Sequence, residues 1–109
     1  MMIDIERITP EIVHALTPLD PDKIILYGSY AYGTPDGESD IDLFLIKKGL
    51  SEASFRHYSR QARLKLYSLL ERYGIAFDVI SRSDAFTRKR QDPFYAEEIM
   101  KKGRVLYAK

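Results

Sequence analysis

Cysteine is absent from the 109 residues, which excludes disulfides and thiolate metal sites and fits a reducing compartment. Any metal must then be held by oxygen ligands or histidine. Net charge is also nearly absent: 17 Lys plus Arg against 16 Asp plus Glu leave a formal +1, so composition gives no global electrostatic case for nucleic acid. Nor is there a long apolar run. No window approaches the roughly 20 apolar residues of a membrane span, and the amino terminus, MMIDIERITPEIV, has neither the basic start nor the apolar stretch of a leader. The expectation is a soluble cytoplasmic protein of one domain, residues 1–109, with no room for a second folded substrate domain.

What is present alternates between strand and helix signals. Thr9, Pro10 and Glu11 predict a helix start, closed by Pro18 and Pro21. Lys23 to Gly28, KIILYG, predicts a buried strand, and Asp40 to Ile46, DIDLFLI, a second one after the polar loop TPDGES. From Ser51 to Tyr73, apolar residues at Phe55, Tyr58, Ala62, Leu66, Leu69 and Tyr73 recur every three or four positions, an amphipathic helix. Gly74 stops it. Ile75 to Ile80 predicts a third strand, Asp92 and Pro93 open a last helix through Lys102, and Arg104 to Tyr107 predicts a short edge strand.

Three aspartates interrupt these core-type strands: Asp40, Asp42 and Asp78. Aspartate is depleted in strands, and burying a carboxylate beside apolar side chains is costly. Alternation puts Asp40 and Asp42 on one face with Cα atoms about 6.5–7 Å apart, close enough to share a cation. Pairing of the Asp78 strand beside them would bring three like charges together, a conflict that a divalent ion removes. Oxygen-only donors favour Mg²⁺ or Mn²⁺ over zinc, with one or two carboxylates and substrate phosphates completing the shell. The turn at Gly28, Ser29 and Gly33 is the phosphate-binding candidate: glycine admits close backbone approach, and Ser29 offers an N–H and a hydroxyl. Together these elements predict phosphoryl chemistry on a nucleoside triphosphate with two metal ions.

The constellation resembles the DNA polymerase beta type nucleotidyltransferases, whose signature is Gly-Ser, a spacer, Asp-x-Asp and a third acidic residue on a later strand. Gly28, Ser29, Asp40, Asp42 and Asp78 match it one by one. The length and the tail KKGRVLY look like the minimal nucleotidyltransferases found with a helical HEPN partner in prokaryotic toxin–antitoxin pairs, and the resemblance runs from Lys23 to Tyr107. It implies an α/β (α+β) palm-like fold, a small mixed β-sheet with helices packed on it. It also implies transfer of a nucleoside monophosphate, foremost AMP from ATP, to a hydroxyl acceptor such as a tyrosine of the partner toxin. In that scheme Asp40 and Asp42 bridge two Mg²⁺ ions and Asp78 holds the one that activates the acceptor. One departure stands out. Members often carry a basic residue in the Gly-Ser turn, where this chain has Tyr30 and Tyr32.

Plainer readings accompany each feature. Asp40 and Asp42 could be a solvated strand-start pair, Asp78 a salt-bridge partner of a helix arginine, and Ser29 a helix cap. His14 and His57 are expected at the surface, Arg56, Arg60 and Arg63 on a solvated helix face, and Arg82, Arg88, Lys89 and Arg90 in a solvated basic loop. The eight tyrosines are expected in core and interface packing. At the level of function, the alternatives are an antitoxin that only binds nucleotide and partner, and a small-molecule nucleotidyltransferase whose acceptor site a homodimer assembles.

Overall fold

Lys23–Tyr27 forms β1, and its four buried residues after Lys23 show why an isoleucine-rich run became a central strand. The computed structural model describes residues 3–89 and 93–109. Arg90 and Asp92, and the side chains of Arg88 and Lys89, lie outside the described residues, so the readings placed on them stay as sequence expectations. Within that range α1 (Ile5–Leu16) leads to β1, a short helix α2 (Ser29–Tyr32), β2 (Ile41–Ile46) and the long α3 (Phe55–Tyr73). β3 (Phe77–Arg82), α4 (Asp84–Lys89), α5 (Phe94–Lys101) and β4 (Arg104–Ala108) follow.

The four strands make one mixed sheet in the order β3-β2-β1-β4. β1 pairs antiparallel with both β2 and β4, while β2 and β3 run parallel. A parallel pair needs a crossover, and α3 supplies it over one face of the sheet. Its Ala62, Leu66 and Leu69 meet Ile8, Ile12 and Leu16 of α1 and Ile24, Leu26, Leu43 and Leu45 of the strands in the main core. A buried hydrogen bond of 2.6 Å between the Ser59 and Ser81 hydroxyls fixes α3 to β3.

The opposite face carries a smaller cluster of Ile25, Tyr27, Phe44 and Ile46, covered by Ile99 and Tyr95 of α5. Strand parity decides what this thin side exposes. Ile41, Leu43 and Leu45 face α1 and α3, which leaves Asp42 on the face of Phe44 and Ile46.

Four expectations change in detail. α1 begins at Ile5, not at Thr9: Asp4 caps it by accepting the Glu6 N–H at 3.1 Å. Thr9 donates its hydroxyl to Ile5 O at 2.7 Å, and Pro10 sits inside the helix. Apolar spacing at Ile5, Ile8 and Ile12 outweighs the proline. α3 starts at Phe55, after a turn in which Ser51 and Ser54 bond one another. The third strand is shifted to Phe77–Arg82, and the basic segment after it begins with the helix α4.

α5 departs from a regular α-helix. It is wound in the wider π form, with the Lys102 N–H donated to Glu97 O five residues back at 3.2 Å. Gly103 ends it against β1: a Cβ there would lie 2.3 Å from Ile99 O and 2.8 Å from Ile25 Cγ2. Gly103→Ala is therefore expected to cost about 2–3 kcal/mol through overpacking against backbone that cannot yield. A lower urea midpoint at unchanged slope would register it.

Candidate active site

β1 delivers the chain to Gly28, whose backbone (φ 77°, ψ −162°) lies in a region essentially reserved for glycine. The reason is next door. A Cβ on Gly28 would sit 2.2 Å from Asp42 Oδ2, so the carboxylate occupies the space that any side chain would need. α2 then starts at Ser29, with the Ala31 and Tyr32 N–H groups donating to Gly28 O at 3.0 and 3.1 Å. Gly33, left-handed at φ 78°, turns the chain away.

Sheet register completes the site. Asp42 on β2 is paired with Tyr27 on β1 and with Asp78 on β3. Neighbouring strands lie about 4.8 Å apart, so the three side chains form a row across one face. Asp40 stands one residue before β2, exposed, on the parity of Asp42. Asp42 is half-buried and Asp78 exposed, so the row opens to solvent at the β3 edge. Among the described residues no three His, Cys, Asp or Glu side chains already form a metal cage. The register joins Asp42 to Asp78, with Asp40 on the lead-in.

Electrostatics shows how tightly the carboxylates are set. Burial, then the charge of Asp78, then that of Asp40 push Asp42 up from 3.8 to about 6. Burial, followed by Asp42 and Asp78, also holds the Tyr27 phenol far above its usual range. The site is a concentration of negative charge. Its donors are all oxygens, and Asp42 and Asp78 lie side by side, which fits Mg²⁺ or Mn²⁺.

Two features escaped the sequence reading. Tyr27, assigned with the other tyrosines to packing, stands in the carboxylate row and stacks edge-on against Phe94 of α5 with ring centroids 5.8 Å apart. Tyr32 in the turn donates its phenol to Glu98 of α5, while Lys102 Nζ lies 5.7 Å from the Tyr32 ring centroid and 3.5 Å from Glu98 Oε1. The Glu98–Lys102 spacing was visible, but nothing local says that this pair meets the turn 66 residues earlier. His14 and His57 are exposed, as are Arg56, Arg60 and Arg63 on the outer face of α3, in keeping with solvated surface positions.

Comparison with known proteins bears on the family and the fold. Residues 11–109 match the family described as "Polymerase beta, Nucleotidyltransferase". The chain belongs to that family. This nucleotidyltransferase is 32% identical over 85 residues to the Methanocaldococcus jannaschii protein named "Putative protein adenylyltransferase MJ0604", covering 78% of this chain and 77% of that one. Its fold matches a crystal structure described as "the toxin-antitoxin with AMP-PNP" at TM-score 0.61 and 19% identity, over 93% of this chain and 73% of the other. A mutant of the toxin–antitoxin MntA-HpeT matches at TM-score 0.60 and 17% identity, with the same coverage. These two likenesses establish the mixed-sheet nucleotidyltransferase fold. No helix among the described residues is long and apolar enough to cross a membrane.

Proposed function

We propose that this nucleotidyltransferase transfers AMP from ATP to a hydroxyl of a protein partner, a tyrosine of a helical HEPN-type toxin, and so acts as its antitoxin. The observation that carries the chemistry is the register of Asp42 with Asp78, with the Asp42 carboxylate seated on Gly28. The protein acceptor is supported by the name of the M. jannaschii relative, and the antitoxin role by the toxin–antitoxin systems that share the fold.

In this reading Asp40, Asp42 and Asp78 would hold two Mg²⁺ ions, which would supply charge neutralisation for the triphosphate and for the attacking hydroxyl. Gly28 lets the phosphates approach the backbone, Ser29 gives them an N–H and a hydroxyl, and Gly33 turns the chain clear of them. Asp78, at the open β3 edge, faces the incoming acceptor. Tyr27, packed edge-on against Phe94, stands at the inner end of the row. The acceptor oxygen forms a bond to the α-phosphorus, the bond to the bridging oxygen breaks, pyrophosphate leaves, and the hydroxyl proton passes to solvent.

Incubating the chain with α-labelled ATP, Mg²⁺ and the product of its neighbouring gene is expected to label that partner on tyrosine. Absence of label, or label that persists with Asp42→Asn, would remove the enzymatic reading. Full neutralisation of the partner by the Asp40, Asp42 and Asp78 triple variant would favour an antitoxin that acts by binding alone.

A further inference from the structure

The turn assigned to the triphosphate has no basic side chain of its own, since Tyr30, Ala31 and Tyr32 fill it between Ser29 and Gly33. The fold brings a cation from elsewhere. α5 crosses the same sheet face, and the residue that ends it, Lys102, places its ammonium over the Tyr32 ring. Tyr32 is the last residue of α2 and donates its phenol to Glu98 of α5. That hydrogen bond, then burial and the Glu98 charge, raise the phenol above its usual range. Phenol, carboxylate and ammonium thus gather on Tyr32, at the end of the turn that Gly28 opens.

The central member of that cluster is an anion held by one O–H donor and one ammonium. A phosphate oxygen asks for the same donors and carries more charge. The ion pair that holds Glu98 is long, 3.5 Å, with side chains 51% and 34% exposed for Lys102 and Glu98. Exposed pairs of this kind are worth little and exchange readily.

We infer that Lys102 is the triphosphate-binding cation of this enzyme, with the Tyr32 hydroxyl as a second donor, and that Glu98 occupies both donors until a nucleotide displaces it. The missing basic residue of the turn is replaced in space by one 70 positions after Tyr32 in the sequence. This inference rests on the proposed nucleotide site and predicts opposite signs for two neighbouring substitutions.

The test is equilibrium binding of ATP and AMP, with Mg²⁺, to the full chain and to Lys102→Met, Lys102→Arg and Glu98→Gln. Lys102→Met should weaken ATP about tenfold, the value of one such contact, and AMP less than twofold. Lys102→Arg should restore ATP binding, and Glu98→Gln should tighten it about threefold by removing the competing anion. A cluster that merely staples α5 to the turn would behave otherwise: equal losses for ATP and AMP, or weaker ATP binding by Glu98→Gln, would overturn the inference. If wild-type protein bound none of the four nucleoside triphosphates, the proposed nucleotide site itself would fall, and this inference with it.

Discussion

Asp42→Asn is expected to reduce nucleotidyl transfer by on the order of 10³-fold or more, because it removes the one carboxylate that touches both Gly28 and the Asp78 side of the site. The same change should stabilise the metal-free protein. Asp42 rises from 3.8 to about 6 on folding, so between those values the folded state binds more protons than the unfolded one. Stability therefore falls as pH rises through that window, and the penalty is complete above about pH 6. Because Asp42 is only partly buried, the full shift overstates the effect, and screening leaves about 1 kcal/mol. Thermal unfolding without metal should show Asp42→Asn above wild type at pH 8 and level with it at pH 4. Mg²⁺ should raise the wild-type midpoint at pH 8, do little at pH 5, and leave the variant unmoved. A variant no more stable than wild type at pH 8 would mean that neither burial nor the neighbouring carboxylates disfavour the charged form of Asp42 in the folded protein.

The candidate site was legible from one dimension for a physical reason. Aspartate inside an isoleucine-rich strand contradicts local propensity, and such contradictions collect where chemistry has a use for them. Asp42 and Asp78 could be found because each breaks a strand pattern. Strand parity then gave the shared face of Asp40 and Asp42, and only the pairing of β3 beside β2 remained to be seen. The main core was equally readable, since Ala62, Leu66 and Leu69 follow helical spacing and Ile24, Leu26, Leu43 and Leu45 follow strand spacing.

What could not be read has a common physical cause. Tyr27 and Tyr32 break no pattern, because tyrosine suits both strands and short helices, and their surroundings come from contacts with β2 and α5 rather than from neighbours in the chain. Glu98 and Lys102 look like any helical ion pair until the sheet brings α5 over the turn. The early start of α1 was missed for another reason. Pro10 is a strong local signal for a first turn, but Ile5, Ile8 and Ile12 face the core and Asp4 supplies a cap, so tertiary burial carried the helix four residues further back.

Gly28→Ala should be the most damaging change that adds a single methyl group. Two costs combine: a non-glycine residue at φ 77°, ψ −162° is strained by about 1–3 kcal/mol, and the new Cβ would meet Asp42 Oδ2 at 2.2 Å. The carboxylate must swing away, so transfer should drop about 100-fold even in the fraction that folds, as expected when a reacting group is misplaced by about an ångström. Gly74→Ala provides the comparison. Gly74 also has positive φ, 66°, but nothing lies within 4 Å of its would-be Cβ, and it caps α3 away from the site. It should lose about 1 kcal/mol of stability and no activity. A double-mutant cycle separates the two costs at Gly28. With Asp42→Ala as background the clash is gone and only backbone strain remains, so Gly28→Ala should cost at least about 1 kcal/mol less there than in wild type. Equal costs in both backgrounds would show that the glycine serves the turn alone and that the carboxylate does not rest on it.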